Sequence, residues 1–245
     1  MKCEFSETQF MFSFVHELLN KQQVSSLKWF VPMFPTQHAE KKLGYDFKIN
    51  NPVYAIFIQF KVPEKIISTR ASHWWQMNGI PYYQFLIRPD ALSHQHNTLV
   101  DLAQVSHNNV YYCSPAFITT SEYNSYYLNE KILQNSMCIS CKRLMKISGS
   151  DRHSICYRLK PLPTYSMFSE EYPGNAGDFN QIVEEIQNSV PYKNIEEMIE
   201  DICIQFGYEL RKYEGMESVL MDIAWELFNK KKMVLMVAGK YKPIY

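Results

Sequence analysis

The sequence predicts an α/β fold: a mixed central sheet flanked by helices, with a mostly helical region after it. Three observations lead there. Val53 to Lys61 reads Val-Tyr-Ala-Ile-Phe-Ile-Gln-Phe-Lys, apolar on both faces until its end, the pattern of a central strand covered on both sides. Residues 80–113 read strand, helix, strand with short links, the pattern of a right-handed parallel crossover. Charge also divides unevenly along a chain whose formal net charge is zero. Counting Lys, Arg, Asp and Glu gives 17 − 11 = +6 for residues 1–165 and 8 − 14 = −6 for residues 166–245. The predicted units are therefore an α/β domain over 1–165 and an acidic, mostly helical region over 166–245 that packs on it.

The elements follow in order. Ser6-x-x-Gln9 is a capping-box pattern, and Phe10, Phe14, Val15, Leu18 and Leu19 recur at helical spacing, so 7–22 is expected to be helical. Residues 24–35 read as an irregular connection. Thr36 caps a short helix over 37–43, stopped by Gly44. Tyr45, Phe47 and Ile49 then alternate with Asp46 and Lys48, which puts Asp46 on the more polar face of a strand. Asn50-Asn51-Pro52 separates this run from 53–61, so the two runs are expected to form a hairpin. Pro63 ends the sheet pattern, and 64–78 reads as a helix or long loop. Its adjacent Trp74 and Trp75 cannot share a helix face, which leaves at least one partly exposed.

Strands are expected at 80–88 and 110–113, with a helix over 93–107 between them. His94 and His96 read as the polar start of that helix. A tyrosine-bearing helix over 121–135 and strands at 137–144 and 153–159 follow. Beyond Pro163, helices are expected over 178–190, 194–206 and 215–230, and a short apolar strand or helix turn over 233–238.

The composition bounds the function classes. Hydrophobic residues make up 46% of 245, with Gly and Pro together only 20, which excludes a disordered chain. No stretch reaches the ~20 apolar residues of a membrane span. Six scattered cysteines do not form a secreted disulfide framework, and the first residues lack a signal-peptide layout, so a reduced, cytoplasmic setting is expected.

Two constellations carry chemistry. The first is the order helix, Asp46, hairpin, Gln59-x-Lys61, strand, helix, strand. Gln59 and Lys61 project from one strand face, close to an aspartate. Over residues 36–114 this resembles the PD-(D/E)XK, restriction-endonuclease-like nuclease superfamily, in a Gln-x-Lys variant. Asp46 matches the family aspartate, Lys61 the lysine and Gln59 the acid position, while Tyr45 stands where the name-giving proline would be. The resemblance implies Mg²⁺ (or Mn²⁺) held by Asp46 and Gln59. Since Gln59 lacks a negative charge, a further carboxylate is required, and family members often supply one from the helix before the aspartate strand. Glu40 fits that place, with Glu17 as the second candidate. Lys61 would position or deprotonate the attacking water and offset charge on the phosphate. Without that chemistry, Lys61 would snorkel from the sheet edge and Asp46 would cap its turn.

The second constellation is Cys138-x-x-Cys141 with His153-x-x-Cys156, a spacing that fits structural Zn²⁺. Both segments also read as ordinary strands with buried cysteines, and that reading is preferred.

The expected function is a metal-dependent nuclease acting on DNA, of the kind that serves restriction or phage defence. Lys65, Arg70 and His73 are its candidate nucleic-acid contacts. The acidic helical region would meet a second copy or a protein partner rather than DNA. The alternative is a non-catalytic nucleic-acid- or protein-binding module on the same fold, favoured by Gln59 standing in place of an acid.

Overall fold

Every residue of β2 (Val53–Phe60) is buried, as its doubly apolar sequence predicts. The computed structural model describes residues 1–21, 27–29, 52–160, 163–168, 172–175, 179–208 and 216–240. Within them β2 lies at the middle of a five-stranded sheet, between β5 (Asn108–Pro115) and β10 (Val234–Lys240). β1 (Leu27–Trp29) and β6 (Ser136–Ser140) form its edges, giving the order β1-β10-β2-β5-β6. Only β2 and β5 run parallel; the other neighbours are antiparallel.

Strand alternation divides β2 between two cores. Val53, Ala55 and Phe57 pack with α2 (Gln95–Gln104), α5 (Ile195–Phe206) and α6 (Met216–Lys231). Tyr54, Ile56, Ile58 and Phe60 pack with α1 (Glu7–Asn20) and α4 (Phe179–Asn188). A second, all-antiparallel sheet has the order β3-β4-β7-β8-β9: Glu64–Ile66, Tyr82–Ile87, His153–Arg158, Thr164–Phe168 and Tyr172–Asn175. Its Phe85, Ile87, Ile155 and Tyr157 join the first core. Its other face closes a small third core of Trp74, Met77, Tyr82, Cys156 and Phe168. The fold is thus mixed α/β, as expected, but with two sheets.

One expectation of connectivity is corrected. The strand at 80–88 does not share a sheet with 110–113. Instead β2 is the parallel partner of β5, and β3, β4 and α2 form the connection between them. The burial of β4 fits this: Phe85 and Ile87 are buried in the first core while Leu86, on the opposite face, is exposed, whereas β5 is buried throughout. The hairpin expected across Asn50-Asn51-Pro52 falls on residues of which only Pro52 onward is described. β10 pairs with β2 from Val53 to Ile58 and β5 pairs with it from Ala55 to Phe60, which leaves no long free edge on β2. The first run, 45–49, lies outside the described residues.

Local signals were more faithful. Ser6 caps α1 with both halves of the capping box in place, and Gly207 ends α5 in the left-handed conformation (φ +67°). The helix expected over 121–135 is shorter, α3 (Thr120–Leu128), and is followed by a 3-10 turn over Leu133–Asn135. Trp74 is buried and Trp75 is 76% exposed. Among the described residues no helix is long and apolar enough to cross a membrane.

His96 is not a polar helix start but a core residue. Its Nδ1 lies 3.2 Å from the Tyr112 hydroxyl and its Nε2 2.8 Å from the Met145 carbonyl, and the ring stacks on Tyr112. Burial pushes its pKa below the ordinary 6.5, against the opposing pull of the Met145 carbonyl. The unfolded chain therefore takes up a proton near pH 6.5 that the folded protein resists, so this contribution to stability is lost as pH falls through that value. Urea midpoints at pH 7.5 and 5.5 should differ more for the wild type than for His96→Gln; equal differences would contradict this role.

Candidate anion-binding site

The carboxyl ends of β2 and β5, the parallel pair, face a place where open α/β sheets commonly bind ligands. Gln59 lies near the end of β2 and Lys61 just beyond it, and their neighbours differ: Gln59 bonds α2, whereas Lys61 lies near Glu7 of α1. Gln59 is fully buried. Its Oε1 accepts from Gln95 Nε2 at 2.8 Å, its Nε2 donates to the Phe60 carbonyl at 3.2 Å, and Gln95 Nε2 also donates to the Lys231 carbonyl. These bonds join the end of β2, the start of α2 and the end of α6. Gln59 is a structural node here, with its oxygen already engaged.

Lys61 lies just past this node, half-buried, its backbone N–H donating to the Cys113 carbonyl at 2.9 Å. Its pKa is pushed below the ordinary lysine value, first by burial; Glu7 pulls it upward and Arg88 pushes it further down. Glu7, in the first turn of α1, has its pKa raised by burial, with Lys61 and Lys232 acting in the opposite direction. The strand pairing accounts for Lys232: Val234 faces Ile58, so the residue two before it falls beside the end of β2. Arg88 follows directly after β4. Lys61 and Lys232 therefore lie near Glu7, and Arg88 lies near Lys61; among the described residues this sets three cations against one carboxylate, with Arg88 and Lys232 exposed to solvent. The excess positive charge suits an anion, and the start of α1 adds the favourable end of a helix dipole.

The pH dependence of such a site has a definite sign. Lys61 loses its charge at a lower pH than a free lysine, and Glu7 gains its charge at a higher pH than a free glutamate. Anion affinity should therefore fall as pH rises through each transition. Affinity should be lower at alkaline than at acidic pH, and a rise towards alkaline pH would contradict the assignment.

The remaining sequence candidates are scattered. Asp46 and Glu40 lie outside the described residues. Glu17 is 3% exposed and bonds the backbone N–H groups of Ile132 and Leu133, which makes it a structural carboxylate. Lys65 on β3 lies over the Tyr83 ring at 5.7 Å, and Arg70 is exposed on the following turn. His73 stacks on Phe168 with ring centres 4.0 Å apart, and burial lowers its pKa.

The metal expectations are corrected. Among the described residues no group of three or more His, Cys, Asp or Glu side chains is arranged to hold Mg²⁺, Mn²⁺ or Zn²⁺. The four zinc candidates show the reason. Cys138 lies in the core under α1, Cys141 in the core under α2, and Cys156 in the small core behind the second sheet. Cys156 Sγ lies 3.5 Å from Gln84 Oε1, while His153 starts β7 with neither ring nitrogen hydrogen-bonded. Alternation sends neighbouring strand residues to opposite faces, so a spacing that suits a zinc loop disperses its ligands on strands.

Sequence reasoning missed Glu7, Arg88, Lys232 and Gln95. Their signals were weak: an acid inside a capping box, an arginine after a strand, the last of three lysines before the terminal apolar run, and a glutamine at a helix start. Lys232 joins the others only through the placement of β10 beside β2. Comparison of the chain with protein-family models, with curated proteins and with solved structures finds no match.

Proposed function

We propose that this protein is a nucleic-acid-binding module that grips a phosphate backbone at the carboxyl end of β2 and β5. The observation that carries the reading is that Lys61 has Arg88 as a cationic neighbour and shares half-buried Glu7 with Lys232. Lys65, held over Tyr83 on the neighbouring β3, extends the cationic character along the second sheet. From the nuclease resemblance the reading keeps a buried strand ending in Gln-x-Lys, followed by a helix and a parallel strand. It gives Lys61 the task of holding phosphate and Gln59 that of holding three elements in register. Backbone phosphates are read by charge, so binding is expected to tolerate sequence and to weaken with salt.

The test is fluorescence anisotropy of labelled duplex and single-stranded DNA against the full chain at low salt. Saturable binding with a Kd on the order of micromolar, rising steeply with salt, is expected. No binding at tens of micromolar protein, or affinity indifferent to salt, would reject the reading.

A further inference from the structure

We propose that Cys113 and Cys138 are a site of reversible cross-strand disulfide formation, taken up when the protein meets an oxidant of the small-molecule disulfide class. This does not depend on the nucleic-acid reading. The two residues face each other on β5 and β6, with Sγ atoms 2.9 Å apart and both side chains 1% exposed.

Strand geometry supports the bond. Ala116 N–H donates to the Asn135 carbonyl at 2.8 Å, continuing the register that pairs Pro115 with Ser136. Counting back along the ladder, the hydrogen-bonded pairs are 116/135, 114/137 and 112/139, so 113/138 is a non-hydrogen-bonded pair. A second bond agrees: the Cys113 carbonyl accepts from Lys61 on the β2 side and so points away from β6. At non-hydrogen-bonded positions Cα atoms are about 4.5 Å apart and side chains approach most closely. That separation falls within the range of about 4.4–6.8 Å that a disulfide spans. No other pair of the six cysteines shares this placement: Cys141 and Cys203 belong to the first core and Cys156 to the third, while Cys3 sits near the N-terminus.

The position also supplies a route to reaction. In the closed state burial holds the Cys113 thiol well up, so little thiolate forms. β6 is an edge strand, however, and opening it exposes both sulfurs without dismantling β2 and β5. With glutathione disulfide, a Cys113 or Cys138 thiolate attacks one sulfur and releases a glutathione thiolate. The second cysteine's thiolate then displaces the remaining glutathione. One S–S bond is broken and one is formed; the protein loses two electrons, and the two cysteine protons end on two glutathione thiols.

The experiment uses the full chain, incubated with glutathione disulfide in sub-denaturing urea so that β6 opens. The protein is then denatured, alkylated with iodoacetamide, and weighed intact and as peptides. The expected result is two of six thiols protected, a linked peptide containing Cys113 and Cys138, and a higher urea midpoint that reverts with reductant. Cys113→Ala and Cys138→Val should each abolish the linked peptide. Six free thiols in the wild type, stable glutathione adducts without a protein disulfide, or a link involving any other cysteine would overturn the proposal.

Discussion

Glu17→Ala should destabilise the fold by about 3 kcal/mol, the largest loss expected from any single polar substitution considered. The carboxylate is 3% exposed. Its Oε2 accepts from the Ile132 N–H at 2.6 Å and the Leu133 N–H at 3.3 Å, and its Oε1 accepts from Lys21 Nζ at 2.6 Å. The two amides open the 3-10 turn over Leu133–Asn135 and have no turn-internal acceptor. Alanine leaves both donors buried and unpaired, a costlier outcome than losing the attraction alone, while Lys21, 36% exposed, keeps the Glu130 carbonyl. Glu17→Gln keeps one acceptor oxygen and should lose about half as much. Urea denaturation of the three proteins checks the order. A loss below about 1 kcal/mol for alanine would show that the carboxylate does not hold the turn.

Reversing two charges should have the largest effect on binding. Lys61→Glu with Arg88→Glu turns three cations and one anion into one cation and three anions at the proposed site. DNA affinity at low salt should drop about 100-fold, roughly tenfold for each reversal. Arg88 is exposed, so its substitution should leave the fold intact; circular dichroism and the urea midpoint of each single variant separate folding from binding. Lys142→Glu is the matched control. Tyr111 faces Ser140, which places exposed Lys142 towards the opposite end of β5, near Glu184 in an open groove. It should change affinity by less than about threefold. Equal losses at both ends would mean that net charge, not the Lys61 site, governs binding.

The sequence showed the parts of this molecule more clearly than their assembly. β2 announced itself because burial on both faces requires an unbroken apolar run, and α1 because its capping box and apolar stripe agree. The second sheet was mostly illegible. β3, β8 and β9 are three to five residues long, and β9 contains a proline and a glycine, so no alternation develops. Sheet order was hidden for a different reason. β10 comes from the far end of the chain to pair with β2, and nothing local in Val234–Lys240 specifies that partner. The candidate site depends on it, since Lys232 reaches Glu7 only through that pairing. Gln59 and Lys61 could be found as a pair from their spacing, but not their division of labour. That is decided by Gln95 and the Lys231 carbonyl, which lie 36 and 172 residues away from Gln59 in sequence.

The central claim is that Lys61, Arg88 and Lys232 contact phosphates. Its most direct test is the salt dependence of DNA affinity for the wild type and for Lys61→Gln, Arg88→Gln and Lys232→Gln. Neutralisation avoids the repulsion that charge reversal introduces. Each phosphate contact contributes about −0.9 to the slope of log K against log salt for duplex DNA, so each variant should flatten the slope by about that amount. Slopes unchanged from the wild type in all three variants would contradict the account.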